Sequence, residues 1–190
     1  MAAGAVASGM HDHVLVVGAE VISRVVDPLD RSTAILFGDG AGAAVVSPVA
    51  AGATEALPVT ESSSASRRGK GRRSPAGILG FDLGNDGSGG AFLSIPAGGS
   101  RMPASCRTID DRMHYMKMNG REVYRFATRV IALSAGRVLS HCGREIGEVD
   151  LFVPHQANLR IIDTAVKKLG IAPDKVYTNL QRYGNTSCAS

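Results

Sequence analysis

Two side chains in this sequence, each on a turn beside a helix start, are of types that can donate hydrogen bonds to one negatively charged oxygen. His155 lies in residues 151–158, LFVPHQAN, and Asn185 lies thirty positions further on in residues 183–190, YGNTSCAS. An imidazole N–H and a carboxamide N–H that converge on the same oxygen stabilise charge developing there, as an oxyanion requires. The apolar run Leu151, Phe152 and Val153 reads as a buried strand and Pro154 stops it. His155 then falls just past the strand's carboxyl end, where ligands bind in open α/β sheets. Gly184-Asn185-Thr186-Ser187 reads as a tight turn that opens a further helix. A lone histidine at a strand end is more often structural; the turn thirty residues later is what makes this one a candidate.

Other reactive groups are less promising. Cys106, Cys142 and Cys188 stand at wide, irregular intervals that fit neither a disulfide framework nor a zinc pattern. Cys188 is near Asn185 and a helix start but reads as a packing residue. Cys142 lies at a helix end, the wrong end of the dipole for a thiolate. His11, His13, His114 and His141 have no metal-ligand spacing. The glycine run Gly38-Asp39-Gly40-Ala41-Gly42 invites comparison with a dinucleotide loop, which needs a helix directly after it. Here AAVVSPV follows, so a tightly packed strand turn is the expectation. Asn158 stands where a helix N-cap belongs.

The elements that must carry these residues are legible in outline. The chain has 190 residues, 44% hydrophobic and 5% aromatic, with 23 glycines and a net charge of +4. That suffices for one sizeable domain or two small ones. Residues 1–9 read as a helix tail ending at Gly9, and 14–17 as a buried strand. Asp27-Pro28-Leu29-Asp30 is a turn signal, and 34–37 and 43–46 read as strand. Residues 50–75 are Ser-rich and crowd Arg67, Arg68, Lys70, Arg72 and Arg73 together. They read as a surface loop, or as a docking patch for an acidic partner or nucleic acid. No aromatics are interleaved, which argues against single-stranded nucleic acid.

Residues 78–83 and 92–95 suggest short strands, and 96–113 look irregular. Asn119 and Glu122 give a capping-box pattern. From there a helix with an apolar stripe (Val123, Phe126, Ala127, Val130, Leu133) runs to Gly143. A second helix over 158–169 turns Leu159, Ile162, Val166 and Leu169 inward and ends at Gly170. It presents Arg160, Thr164, Lys167 and Lys168 on the other face. Residues 176–180 read as strand. No apolar run approaches the roughly 20 residues of a membrane span, and the start lacks the form of a secretory signal.

Five segments resemble the condensing enzymes of the thiolase superfamily, and within them the β-ketoacyl-acyl-carrier-protein synthase III family. They are LVVGAE (15–20), DPLDRSTAILFGDGAGAAVV (27–46), MNGREVYRFA (118–127), VPHQANLRIID (153–163) and YGNTS (183–187), in family order. The resemblance implies an α/β fold, a partial thiolase-like αβαβα layered sandwich. Residues 1–80 would be the end of its N-terminal half, with a variable loop at about 50–75. Residues 81–190 would be a truncated C-terminal half.

The resemblance implies a decarboxylative Claisen condensation of an acyl-CoA, most simply acetyl-CoA, with malonyl-acyl carrier protein, the step that initiates fatty acid synthesis. His155 and Asn185 would form the oxyanion hole. Arg31 would pack against the adenine of coenzyme A and Asn158 would lie along the pantetheine arm. Arg125, Arg160, Lys167 and Lys168 would dock the acidic carrier protein. The family's nucleophilic cysteine would fall upstream of Met1, so this stretch by itself is expected to be inactive. No metal or redox cofactor is implied. A cytoplasmic homodimer is, or a plastid stromal one in a photosynthetic eukaryote. Another condensing enzyme of the same fold stays open: a type III polyketide, quinolone-type or HMG-CoA synthase. HQAN, rather than an HPGG-like loop, favours the initiating synthase over the plant-type polyketide enzymes. A non-catalytic module binding coenzyme A or acyl carrier protein also stays open.

Overall fold

The computed structural model describes residues 1–49 and 77–190, so the basic run at 67–73 lies outside the described residues. Helix α1 (Ala2–Ala7) is followed by strand β1 (Val14–Glu20), the single turn α2 (Arg31–Ala34) and strand β2 (Gly40–Val46). β1 and β2 form a two-stranded ladder. β3 (Leu93–Ser94), α3 (Cys106–Asp110), β4 (Lys117–Met118) and the long helix α4 (Gly120–His141) come next, then α5 (Leu159–Leu169) and α6 (Leu180–Tyr183). The described residues divide into two compact units, one of 1–16, 44–49 and 77–79, the other of 17–43 and 80–190. In the first, His13 Nδ1 and Ser47 Oγ lie 2.9 Å apart. The candidate residues all belong to the second.

That second unit is built around α5. Asn158 caps its start by accepting from Arg160 N at 2.9 Å, and Gly170 ends it in the left-handed conformation at φ 72°. Ile162 (1% exposed), Val166 and Ile171 form a core against Ile146, Phe152, Leu169 and Val176. Burying an aliphatic side chain this completely stabilises a fold by about 1.5–3 kcal/mol. Leu159, expected inside, is exposed, because it lies in the first turn, ahead of the face that meets the core. Helix α4 packs alongside through a hydrogen bond between Tyr124 Oη and Thr164 Oγ1 at 2.8 Å. Lys168 Nζ also reaches across to Thr128 O at 3.2 Å. At the start of α4, Asn119 accepts from Glu122 N at 3.3 Å, the forward half of the expected capping box. Phe126, Val130 and Leu133 remain exposed, so the α4 stripe is only partly covered in this chain.

Several expected strands take other forms. Residues 34–37 are the end of α2 and a turn, because Asp30 caps the helix by accepting from Ser32 N at 2.9 Å and from Thr33 Oγ1 at 3.0 Å. Residues 78–83 form no strand. The 150–153 segment is reduced to a parallel bridge between Phe152 and Val176. Its flanking Leu151 and Val153 are 59% and 62% exposed rather than buried. β1 likewise leaves Leu15, Val16 and Val17 in the open. Residues 176–180 contribute that one bridge before Leu180 opens α6. The irregular 96–113 segment contains α3, which carries a reciprocal capping box between Ser105 and Thr108. Asp27, 3% exposed, anchors the loop after it: it accepts from Arg112 Nε at 2.9 Å and lies 3.8 Å from Lys117 Nζ. The Arg112 hydrogen bond holds this carboxyl well below the usual carboxylate range.

Candidate functional site

His155 is delivered by the Phe152–Val176 bridge. Phe152 N donates to Lys175 O at 2.7 Å, and Tyr177 N donates back to Phe152 O at 2.9 Å. Pro154, buried, ends the pairing, and Ala157 N donates to His155 O at 2.9 Å, turning the chain toward α5. The histidine itself is exposed. The protein around its ring still removes enough water to push the imidazole pKa below its ordinary value. Desolvation thereby favours the neutral ring, with one N–H, over the charged one.

Asn185 arrives from the other direction. Its backbone bridges Phe37 in parallel: Asn185 N donates to Leu36 O and Gly38 N donates to Asn185 O, both at 3.0 Å. Two glycines make this approach possible. Gly184 takes φ 69°, a left-handed value that side chains resist, and a Cβ at Gly38 would overlap the carbonyl oxygen of Tyr183. This accounts for the glycine run, which leads directly into β2 and not into a phosphate-binding helix. After Asn185 comes a 3-10 turn, Ser187–Ala189.

The side chain of Asn185 is oriented by its own turn. Asn185 Oδ1 accepts from Ser187 N at 2.9 Å, which leaves both Nδ2 hydrogens to point elsewhere. Ser187 O in turn accepts from Ser190 Oγ at 3.0 Å, and Ser190 Oγ lies 3.3 Å from His155 Nδ1. One chain of hydrogen bonds thus links the carboxamide to the imidazole. The Ser190 hydroxyl has a single proton for two acceptors. When it donates to His155 Nδ1, the ring proton sits on Nε2 and can be offered to a ligand; when it donates to Ser187 O, Nδ1 carries the ring proton instead.

His155 and Asn185 line the same cavity, of about 1180 Å³. Asn158, Arg125 and Arg160 also line it, as do Leu36, Phe37, Phe92 and Met118. The remaining sequence candidates lie elsewhere. Arg31 opens α2 outside the lining, although its neighbour Ser32 is part of it. Lys167 and Lys168 sit in the last turn of α5, also outside it, and the Lys168 ammonium is engaged with Thr128. Arg125 is paired with Glu122 at 3.2 Å across one turn of α4. None of Cys106, Cys142 and Cys188 lines the cavity. Among the described residues no group of His, Cys, Asp and Glu could hold a metal ion, and no helix is long and apolar enough to cross a membrane.

Two participants carry no sequence signal strong enough to find them. Ser190 is one of many serines in the chain. Gln156 lies between two residues that attract attention, yet it is 2% exposed and fully hydrogen-bonded.

The chain is similar to known proteins along its whole length. The family described as 3-Oxoacyl-[acyl-carrier-protein (ACP)] synthase III matches residues 1–65, and 3-Oxoacyl-[acyl-carrier-protein (ACP)] synthase III C terminal matches residues 139–190. A β-ketoacyl-[acyl-carrier-protein] synthase III of Symbiobacterium thermophilum is 47% identical over 190 residues, covering 100% of this chain and 51% of that protein. The solved synthase III of Thermus thermophilus superposes with a TM-score of 0.78 at 39% identity, covering 100% of this chain and 50% of the other. The synthase III structure from Aquifex aeolicus gives 0.76 at 35% identity, covering 98% and 48%. The fold is therefore the thiolase-like α/β fold of these enzymes, held in part, since the chain spans about half the length of the relatives it matches. With the N-terminal and C-terminal family regions matched in order and near half its residues identical to a relative along its full length, this chain belongs to the 3-oxoacyl-[acyl-carrier-protein] synthase III family.

Proposed function

We propose that the protein carrying this chain initiates fatty acid synthesis by condensing an acyl-CoA, most simply acetyl-CoA, with malonyl-acyl carrier protein. The observation that carries this reading is the presence of His155 and Asn185 on one cavity, with Asn185 Oδ1 already occupied by Ser187 N. The carboxamide is thereby fixed with its N–H groups free, and a neutral imidazole supplies a second donor from Nε2 when Ser190 donates to Nδ1. In the reaction the bond between the malonyl carboxylate and its α-carbon breaks. Carbon dioxide leaves, and the electron pair moves into the thioester to form an enolate. His155 and Asn185 hold that enolate oxygen. The α-carbon then attacks an acyl thioester and the thiolate departs.

Two donors placed before charge develops stabilise it without reorganising at the moment of reaction. The chemistry draws its carbanion from decarboxylation and its electrophile from a thioester, so it calls for no resident metal or redox cofactor. Cys106, Cys142 and Cys188 lie away from the cavity lining, and the reading gives none of them the role of acyl carrier. The 190-residue chain by itself is accordingly expected to form no acyl-enzyme.

Arg125 and Arg160, on the cavity lining, are assigned to carrier-protein docking, with Lys167 and Lys168 further along α5. Attraction between such a basic face and an acidic partner mainly raises the association rate. Asn158 is assigned to the pantetheine arm and Arg31 to the adenine. A cytoplasmic homodimer, divided near residue 80 into two thiolase-like halves, completes the reading. The test is malonyl decarboxylation by the protein that carries this chain. His155→Ala and Asn185→Ala should each lower its rate by about 10²–10³-fold. Near-normal carbon dioxide release from either variant would remove the oxyanion-hole assignment. Carrier-protein binding with no decarboxylation in the unmodified protein would favour a binding module.

A further inference from the structure

We propose that Gln156 is a positioning residue for both oxygen-binding donors, tying the turn that carries His155 to the segment that leads to Asn185. The proposal rests on the oxyanion reading above. Gln156 is 2% exposed and has no contact with bulk solvent to satisfy its amide. Its Nε2 donates to Pro154 O at 2.9 Å and to Tyr177 O at 3.3 Å, and its Oε1 accepts from Asn179 N at 2.9 Å. Both Nε2 hydrogens and the carbonyl are therefore used, and the pattern of two carbonyls on one side and one N–H on the other fixes which way the amide points.

The positions of those partners give the amide its role. Pro154 immediately precedes His155, and Ala157 N closes on His155 O from the other side. Tyr177 gives its N–H to Phe152, and its carbonyl accepts from Gln156. Asn179 stands just before α6, which hands the chain through Gly184 to Asn185. The buried carboxamide thus sits where the two arms separate, with one arm ending in the imidazole and the other in the carboxamide of the site. The segment has little hydrogen-bonding capacity to spare: Asn179 Oδ1 is already buried without a partner among the described residues.

The demand is specific to an amide. Glutamate has the same shape but places an oxygen against the carbonyls of Pro154 and Tyr177, where two N–H donors are needed. Methionine fills similar space and makes none of the three bonds. Either change leaves backbone groups buried and unpaired and releases the relative placement of the two arms. A displacement of about 1 Å in a reacting group can cost on the order of 10²-fold in rate.

The experiment compares Gln156→Glu and Gln156→Met with the unmodified protein carrying this chain, confirming native helix content by circular dichroism. Positioning is read from the kcat and KM of malonyl decarboxylation and from the NMR signals of the His155 imidazole and the Asn185 side-chain amide. The expected result is a fall in kcat of about 10²-fold at little-changed KM, with both sets of signals shifted. Folded variants with kcat within threefold of the unmodified protein, or with both sets of signals unmoved, would overturn the proposal. The NMR arm decides the matter even where Asn185 variants show the oxyanion reading to be wrong, because it reports placement and not rate. If neither variant folds, hydrogen exchange in the unmodified protein decides. An Asn179 amide protected as strongly as the α5 core supports the clamp, and exchange at the rate of an open loop refutes it.

Discussion

Replacing Asn185 with aspartate separates the two halves of its carboxamide. The acceptor half is structural: Oδ1 takes the hydrogen bond from Ser187 N at 2.9 Å and so shapes the turn. Aspartate keeps an oxygen there and preserves that bond. The donor half is the one assigned to catalysis, and aspartate replaces Nδ2 with a second oxygen. Losing one oxyanion donor costs about 2.7–4 kcal/mol of transition-state stabilisation. At about 1.36 kcal/mol per decade this is roughly 10²–10³ in rate. The new negative charge, facing an enolate, adds to the loss. Alanine removes the same donor and also the turn bond, worth about 0.5–1.5 kcal/mol net. The prediction is therefore paired. Asn185→Asp should retain a melting temperature close to the unmodified protein while losing at least about 10² in single-turnover malonyl decarboxylation. Asn185→Ala should lose comparable activity and some stability. Aspartate activity within about fivefold of the unmodified protein, against the 10² expected, would show that Nδ2 holds no charge in the transition state.

Three other outcomes follow from the structure. His155 has its pKa depressed by desolvation, so its stabilising contribution is complete above about pH 6.5, its unperturbed value, and is lost as pH falls through the lower folded value. Titration of its ring protons by NMR should place the midpoint below 6.5, and a midpoint at or above that value would contradict the burial argument. Gly38→Ala drives a methyl into Tyr183 O and should destabilise the fold by about 1–3 kcal/mol; an unchanged thermal midpoint would mean that the 36–38 segment moves freely. Arg160→Glu reverses a charge on the cavity lining and should slow carrier-protein association at low salt, with the difference shrinking as salt screens it. An unchanged association rate at low salt would return Arg160 to the solvated surface.

What the sequence made legible were the features written in local chemistry. The helix after Asn158 was readable because a side-chain cap, an amphipathic repeat and a left-handed glycine all agree from Asn158 to Gly170. The start of α4 was readable from Asn119 for the same reason. That His155 and Asn185 would share a site was expected from the resemblance of their two turns to the family's, and both line one cavity. Burial was not, because it depends on what a strand packs against. Leu151 and Val153 have the composition of a core strand and stand exposed in this chain. Residues 34–37 have strand-forming side chains, but the Asp30 cap fixes the preceding backbone as a helical turn. Gln156 and Ser190 act through partners that only the folded chain brings within reach. Their residue types alone gave no reason to single them out.

The bridge between Phe37 and Asn185 has a consequence for how the molecule is made. It joins residues 148 positions apart in a unit assembled from two separated stretches of chain. Closing a loop of that length costs only about 1.4 kcal/mol more than closing one of about thirty residues, so the equilibrium burden is small. The delay is larger. At about 5–20 residues per second of synthesis, roughly 7–30 s separate the emergence of the two partners. During that interval residues 36–38 have no Asn185 backbone to pair with, while α4 and α5 become available close together and can dock on local contacts. The Phe37–Asn185 bridge thus forms after the contacts between α4 and α5 have become possible. Slower translation between residue 38 and residue 185 would prolong the period in which the Leu36 carbonyl and Gly38 amide are open to association with other chains.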